Sequence, residues 1–288
     1  MTIESFDARW FKQSKTLIGD GSKYSAGQVT IIGGSRLFHG APILALKGSS
    51  RMVSMVYFAT PDYDKDIAER IKAGLGSFIW VSLADLSGYI EKSDAVLIGP
   101  GLMRSHESEH NSACDDEGSK TRELTLGLVT AFPQKNWLVD GGSLQVVEVT
   151  ELPKGAAVSP NKKEFEMLFG ESLETELSKR AEQQKRLAKK HGLVILTKDA
   201  TSLVSDGERV VAIEGGNEGL VKGGVGDVIA GVALGFMAKN DALFALCAAS
   251  YLVKKAAEKL ASEKGLMFNA DDLVEMVPAI FGQTTKDL

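Results

Sequence analysis

Gln28-Val29-Thr30-Ile31-Ile32 is an unbroken β-branched and apolar run, and it stops at Gly33-Gly34-Ser35. Such a run does not alternate, so it reads as a strand buried on both faces and closed by a glycine turn. The same unit repeats along the chain. Met52–Phe58 is a second strand, closed by Thr60-Pro61-Asp62, and Phe78–Val81 is a short third one. Ala95–Ile98 runs into Gly99-Pro100-Gly101, Trp137–Val139 into Asp140-Gly141-Gly142, Ala156–Val158 into Ser159-Pro160-Asn161, and Leu193–Leu196 into Thr197-Lys198-Asp199. Helical spacing fills the gaps, at Ala41–Ser50, at Ile67–Ala73 before Gly74, and in the charged stretch Glu174–His191. Strand, loop and helix in this order predict an α/β domain with a central, mainly parallel sheet and helices on both faces. Polar and glycine-rich residues collect at the carboxyl ends of the strands, where such sheets bind ligands.

The 288 residues, 44% hydrophobic and 25% charged, suit one large domain. The expected division is a surface segment over residues 1–20, helix and linker, and a single domain over 21–288. A net charge of −5 disfavours general binding to nucleic acid or to anionic membranes. No basic start precedes an apolar core, and no apolar run approaches the ~20 residues that span a bilayer. The cytoplasm is the expected compartment. Cys114 and Cys247 have no partners at metal-ligand spacing and read as ordinary thiols. Ser105–Lys120 is almost wholly polar. His106 and His110 are spaced i,i+4 there, with Asp115 and Asp116 nearby, but no hydrophobic frame fixes them. A solvated loop is expected rather than a metal site.

The densest chemical signal is Gly215-Gly216-Asn217-Glu218-Gly219-Leu220-Val221-Lys222-Gly223-Gly224-Val225-Gly226-Asp227, followed by a helical stretch, Val228–Met237. Glycines before a helix let backbone N–H groups approach an anion closely, and the helix dipole adds partial positive charge. Gly223, Gly224, Val225 and Gly226 therefore form a candidate anion hole for a phosphoryl group in transit. Asp227, in the first helical turn, either takes a proton from a hydroxyl attacking phosphorus or merely caps the helix.

Gly224-Val225-Gly226-Asp227 resembles the anion-hole motif of the ribokinase-like superfamily. The rest of the chain resembles one of its branches, the NAD(P)H-hydrate dehydratases, from about Lys23 to about Gly282. The matching stretches come in that family's order. They are Lys23 and Gly27; Ile32-Gly33-Gly34-Ser35 with Phe38 and Gly40-Ala41-Pro42; Arg51; Ile98-Gly99-Pro100-Gly101-Leu102; Ser159-Pro160 with Glu164; Thr197-Lys198-Asp199-Ala200-Thr201; and Asn217-Glu218-Gly219. The resemblance implies that Ala41, Gly101, Asn161 and Asp227 contact the hydrated dinucleotide. It implies further that Lys198, Asp199, Ala200, Thr201 and Ser202, with Gly226, hold the adenine nucleotide, and that Asp227 is catalytic. Four positions depart from the family pattern: Val225 stands for a threonine, Asn161 for a histidine, Gly142 for a second carboxylate, and Lys222 for a small or polar residue.

The activity so implied is an ADP- or ATP-dependent dehydration that restores NADH or NADPH from their hydrates. Mg²⁺ would bridge phosphates through few protein ligands. The resemblance also implies a homo-oligomer and a separate epimerase for the two hydrate epimers. Two other readings stay open. A small-molecule kinase of the hydroxyethylthiazole-kinase type would use the same Asp227 and stop at the phosphorylated product. A silent dinucleotide or adenylate sensor would bind without turnover, as Val225 and Asn161 suggest.

Overall fold

The structure, a computed structural model, describes residues 2–15, 25–61, 71, 74–104 and 116–286. Among these, ten strands form one sheet: β1 Glu4–Ser5, β2 Gln28–Ile32, β3 Met55–Ala59, β4 Ile79–Val81, β5 Ala95–Ile98, β6 Asn136–Val139, β7 Ala157–Val158, β8 Val194–Thr197, β9 Ser202–Ser205 and β10 Val210–Ile213. They lie in the order β1-β10-β9-β8-β7-β6-β5-β2-β3-β4. Only β9 runs against the rest, pairing antiparallel with both β8 and β10. The sheet is thus mainly parallel, as the apolar runs predict.

The helices described are α1 Gly40–Ser50, α2 Leu86–Lys92, α3 Asp116–Ala131, α4 Gly141–Leu144, α5 Lys162–Phe169, α6 Leu177–His191, α7 Val225–Met237, α8 Ala242–Lys264 and α9 Ala270–Lys286. Successive strand residues feed opposite cores, following the period of two. Val29, Ile31, Leu97 and Leu138 pack with α1, α7, α8 and α9. Ile32, Val96, Ile98, Trp137 and Val139 pack with residues of α2, α3, α5 and α6 on the other face.

Helix α7 is the buried spine of the first layer, with Val228, Ala230, Val232, Ala233 and Leu234 fully enclosed. Its small residues admit α1 at close range. A methyl group on Gly231 would sit 2.2 Å from the carbonyl oxygen of Ala45. Two ion pairs then hold α1 to α9: Lys47 Nζ lies 2.5 Å from Asp271, and Arg51 Nη2 lies 2.7 Å from Glu275. The arginine in the family pattern therefore works here as a clamp between helices.

Two expectations are corrected, and one element is added. Residues 2–15 of the segment expected as surface helix and linker are part of the sheet and its core: β1 extends the sheet beside β10, and the 3-10 turn Ala8–Gln13 follows, while residues 16–20 lie outside the described residues. Phe6 and Phe11 anchor this segment, only 4% and 5% exposed and stacked near Phe244 and Tyr251. Asp116–Lys120, expected as loop, opens α3, where Asp116 and Glu117 suit the positive end of a helix. The β9–β10 hairpin, turning at Asp206-Gly207, was not expected at all. The helix expected over 67–73 lies largely outside the described residues, and Lys23, His106, His110, Cys114 and Asp115 lie wholly outside them. Cys247 is a buried free thiol. No helix is long and apolar enough to cross a membrane among the described residues.

Candidate active site

The carboxyl ends of the parallel strands open into a cavity of about 860 Å³. The elements around it present their chemistry for local reasons. Gly224 adopts φ +88° and turns the chain into α7, a conformation that a side chain would strain. Gly223 to Gly226 therefore line the cavity at the N-terminus of α7, with Asp227 in its first turn. Asp140 follows the end of β6, and Lys198 follows the end of β8. Asn161 and Glu164 come from the start of α5 on the opposite layer. Asp199, Ala200 and Ser202 line the cavity from the turn into β9, and Gly215, Gly216 and Asn217 from the segment after β10.

Asp140, Glu164 and Asp227 lie close enough there to act on one another's charge, with Lys198 beside them. Asp140 and Glu164 are 4% and 5% exposed. Lys198 Nζ donates a hydrogen bond to the carbonyl of Ser159 and stands 3.9 Å from Asp140 Oδ1. Burial, and then the nearby charge of Asp140, push the Asp227 carboxyl up to about 7; Lys198 opposes them and Glu164 adds to them. Glu164 is raised chiefly by burial, with Asp140 adding to it. A carboxyl so tuned takes and releases a proton near neutral pH. Beside it, the glycine-rich helix terminus suits an anion.

Asn161 has a second task. Its Oδ1 accepts the backbone N–H of Glu164 at 3.0 Å, and Glu164 Oε2 accepts that of Asn161 at 2.8 Å, a reciprocal cap of α5. Gln145 Nε2 holds the other Glu164 oxygen at 3.0 Å. Lys222 reaches away from the glycine loop. Its ammonium donates to the carbonyls of Leu266, at 2.5 Å, and Phe268, and pins the loop to the segment before α9.

The cavity thus gathers Asn161, Lys198, Asp199, Ala200, Ser202 and Gly223 through Asp227. Thr201, Ala41 and Gly101 do not line it. The carbonyl of Thr201 accepts from Arg180 Nη2 at 2.7 Å. Gly101, at φ +72°, lets the chain pass where a methyl group would lie 2.4 Å from the Phe38 carbonyl oxygen. Gly34 and Leu102, close by in sequence, line a second cavity of about 690 Å³ against α3. Several lining residues carry no site signal in the sequence, among them Asp140, marked only by its place at a strand end, Ser250, and Lys254, which stands beside Lys255 on α8. Among the described residues no three His, Cys, Asp or Glu side chains are grouped to hold a metal ion.

Comparison with known proteins bears on this arrangement. The Bacillus subtilis ADP/ATP-dependent NAD(P)H-hydrate dehydratase, co-crystallised with ATP and Mg²⁺, superposes with a TM-score of 0.81 over 99% of both chains at 21% identity. The hydroxyethylthiazole kinase of Pyrococcus horikoshii does so less closely, with a TM-score of 0.57 over 88% of this chain and 87% of its own at 18% identity. These likenesses establish a ribokinase-like fold. By sequence, the chain is 32% identical to the ADP-dependent (S)-NAD(P)H-hydrate dehydratase of Cenarchaeum symbiosum (strain A), over 95% of this chain and 94% of that one. It is 29% identical to the bifunctional NAD(P)H-hydrate repair enzyme Nnr of Hyperthermus butylicus, over 89% of this chain and 48% of that longer protein. The sequence pattern described as NAD(P)H-hydrate dehydratase matches residues 29–279, from β2 well into α9, and so the chain belongs to the NAD(P)H-hydrate dehydratase family.

Proposed function

We propose that the protein is a carbon–oxygen lyase that uses ADP or ATP to dehydrate hydrated NADH or NADPH. The observation that carries this reading is Asp227, its proton affinity raised to near neutrality, at the glycine-rich N-terminus of α7. The nucleotide lies along Lys198, Asp199, Ala200, Thr201 and Ser202, with its terminal phosphate at Gly223–Gly226. The hydrate reaches the same phosphate past Asn161, with Ala41 and Gly101 supporting its outer part. The ring hydroxyl attacks the terminal phosphorus while its proton passes to Asp227. The bond to the bridging oxygen breaks, and AMP or ADP leaves. Phosphate then departs from the ring carbon, the neighbouring carbon loses a proton, and the double bond of NADH or NADPH returns. Backbone N–H groups of the glycine loop meet the charge that develops on the moving phosphoryl group.

Mg²⁺ fits as a phosphate-held ion. Asp140 is the residue that would hold it, since its buried carboxylate meets Lys198 Nζ only at 3.9 Å and Mg²⁺ needs few protein ligands. Bound there, it would neutralise phosphate charge. The repair reading also carries a cytoplasmic enzyme, a homo-oligomer and a separate epimerase partner. The test is the recovery of absorbance at the reduced-nicotinamide band when protein meets hydrated NADH, Mg²⁺ and ADP or ATP. Recovery that Asp227→Asn abolishes supports the proposal. A product that retains phosphate on the acceptor would make the protein a kinase instead.

A further inference from the structure

Lysine is rarely buried without a carboxylate, because its charge is costly to desolvate. Lys254, on α8, is only 4% exposed, and it lines the cavity. Its ammonium spends three hydrogen bonds on backbone carbonyls: Asp199 at 3.0 Å, Ala200 at 2.5 Å and Gly215 at 3.0 Å. Those are all the donors an ammonium has. The carbonyls belong to two separate segments. Asp199 and Ala200 follow β8, Gly215 follows β10, and the whole β9–β10 hairpin lies between them. Gly215 and Gly216 both have positive φ, so their own backbone preferences do little to hold them.

The first segment is gripped from the opposite layer as well. Arg180, 3% exposed on α6, pairs with Asp199 and donates to the carbonyl of Thr201. Lys254 ties that segment directly to Gly215, beyond the Ser202–Ile213 end of the β9–β10 pairing, while Glu258 on the same helix accepts the Gly216 N–H at 2.9 Å. One turn earlier on α8, Ser250 lines the same wall, and its buried hydroxyl has no hydrogen-bond partner among the described residues. This end of the cavity is therefore built of polar groups set for a ligand, with the lysine as its tie.

We propose that Lys254 is a positioning residue for the adenine nucleotide, joining the 199–200 and 215–216 turns into one rigid wall. The proposal rests on the nucleotide reading above. Burial lowers the Lys254 pKa to about 8, while Asp199, Glu258 and Glu214 favour its charge and Arg180 opposes it. The proton is lost as pH rises through that value, so the wall loosens in alkali.

The test is calorimetric titration of ADP and of ATP, with Mg²⁺, into the wild type, Lys254→Met and Lys254→Arg from pH 7 to 9.5, with steady-state kinetics alongside. Loss of hydrogen bonds from a charged donor predicts a nucleotide Kd and KM raised roughly ten- to a hundredfold in Lys254→Met. The kcat at saturating nucleotide falls less than about threefold, because the bound geometry is then enforced. Wild-type affinity falls above pH 8, whereas Lys254→Arg, which keeps its charge, stays flat. Lys254→Met binding like the wild type would overturn the proposal. So would a wild-type Kd that does not change from pH 7 to 9.5, a result that needs no variant to fold. A wild type that binds neither nucleotide would instead overturn the nucleotide reading itself.

Discussion

Replacing Asp227 with asparagine should make the protein more stable while removing turnover. The carboxyl is pushed from 3.8 to about 7 by burial and by Asp140, so its charge is held against its preference. At ~1.36 kcal/mol per tenfold change, that gap has a ceiling of about 4 kcal/mol. Asp227 keeps one side toward the open cavity, and solvent screening reduces the expected gain to about 1–2 kcal/mol. The folded pKa lies above the unfolded one. The favourable contribution is therefore complete below about pH 4 and lost as pH climbs through about 7. Asparagine, similar in shape and never charged, escapes that loss. For a chain of this size, the gain amounts to a melting temperature about 2–4 °C higher at pH 8, and a smaller rise at pH 5. Differential scanning calorimetry of both proteins at the two pH values measures it. An asparagine variant that melts lower at pH 8, or whose advantage does not grow with pH, would show that the carboxylate is comfortable where it sits.

The same carboxyl sets the pH dependence of catalysis: kcat/KM for the hydrate should fall tenfold per unit below an inflection near pH 7, seen in initial rates. Val225→Thr, which restores the family residue, should cost about 1–3 kcal/mol in chemical denaturation, because that side chain is packed in the core. It should raise kcat less than about threefold, since the backbone N–H groups already form the anion hole. Gly231→Ala brings a methyl group to 2.2 Å from the Ala45 carbonyl oxygen and should destabilise by about 1–3 kcal/mol. Nucleotide affinity should weaken with it, because α7 carries Asp227; unchanged denaturation would mean that α1 moves aside at no cost.

The apolar runs announced β2, β5, β6 and β8 to within a residue or so, because strands buried on both faces leave no other mark. The glycine run before Asp227 announced the start of α7 for a similarly local reason. What escaped the sequence depends on contacts far along the chain. The β9–β10 hairpin leaves a weak mark because Ser202 and Ser205 interrupt its apolar pattern, though Asp206-Gly207 is a turn signal. Phe6 and Phe11 sit in a polar-looking stretch, and only their docking near Phe244 and Tyr251 makes the first residues part of the core. Asn161 gave a correct place but half an account, since its capping role depends on Glu164 three residues on. Lys254 had no local signal at all, because its three carbonyl partners lie about 40 to 55 residues away.

The cavity takes its walls from both helical layers, α7 and α8 on one side of the sheet and α5 on the other. A molecule seated there is a brace between two hydrophobic cores that lie on opposite faces of the sheet. Mass action gives that brace about 2.7 kcal/mol at a hundredfold excess of ligand over Kd. If the ligand is an adenylate, the protein's resistance to proteolysis becomes a gauge of the adenylate around it, readable as the difference in limited-digestion rate with and without ADP.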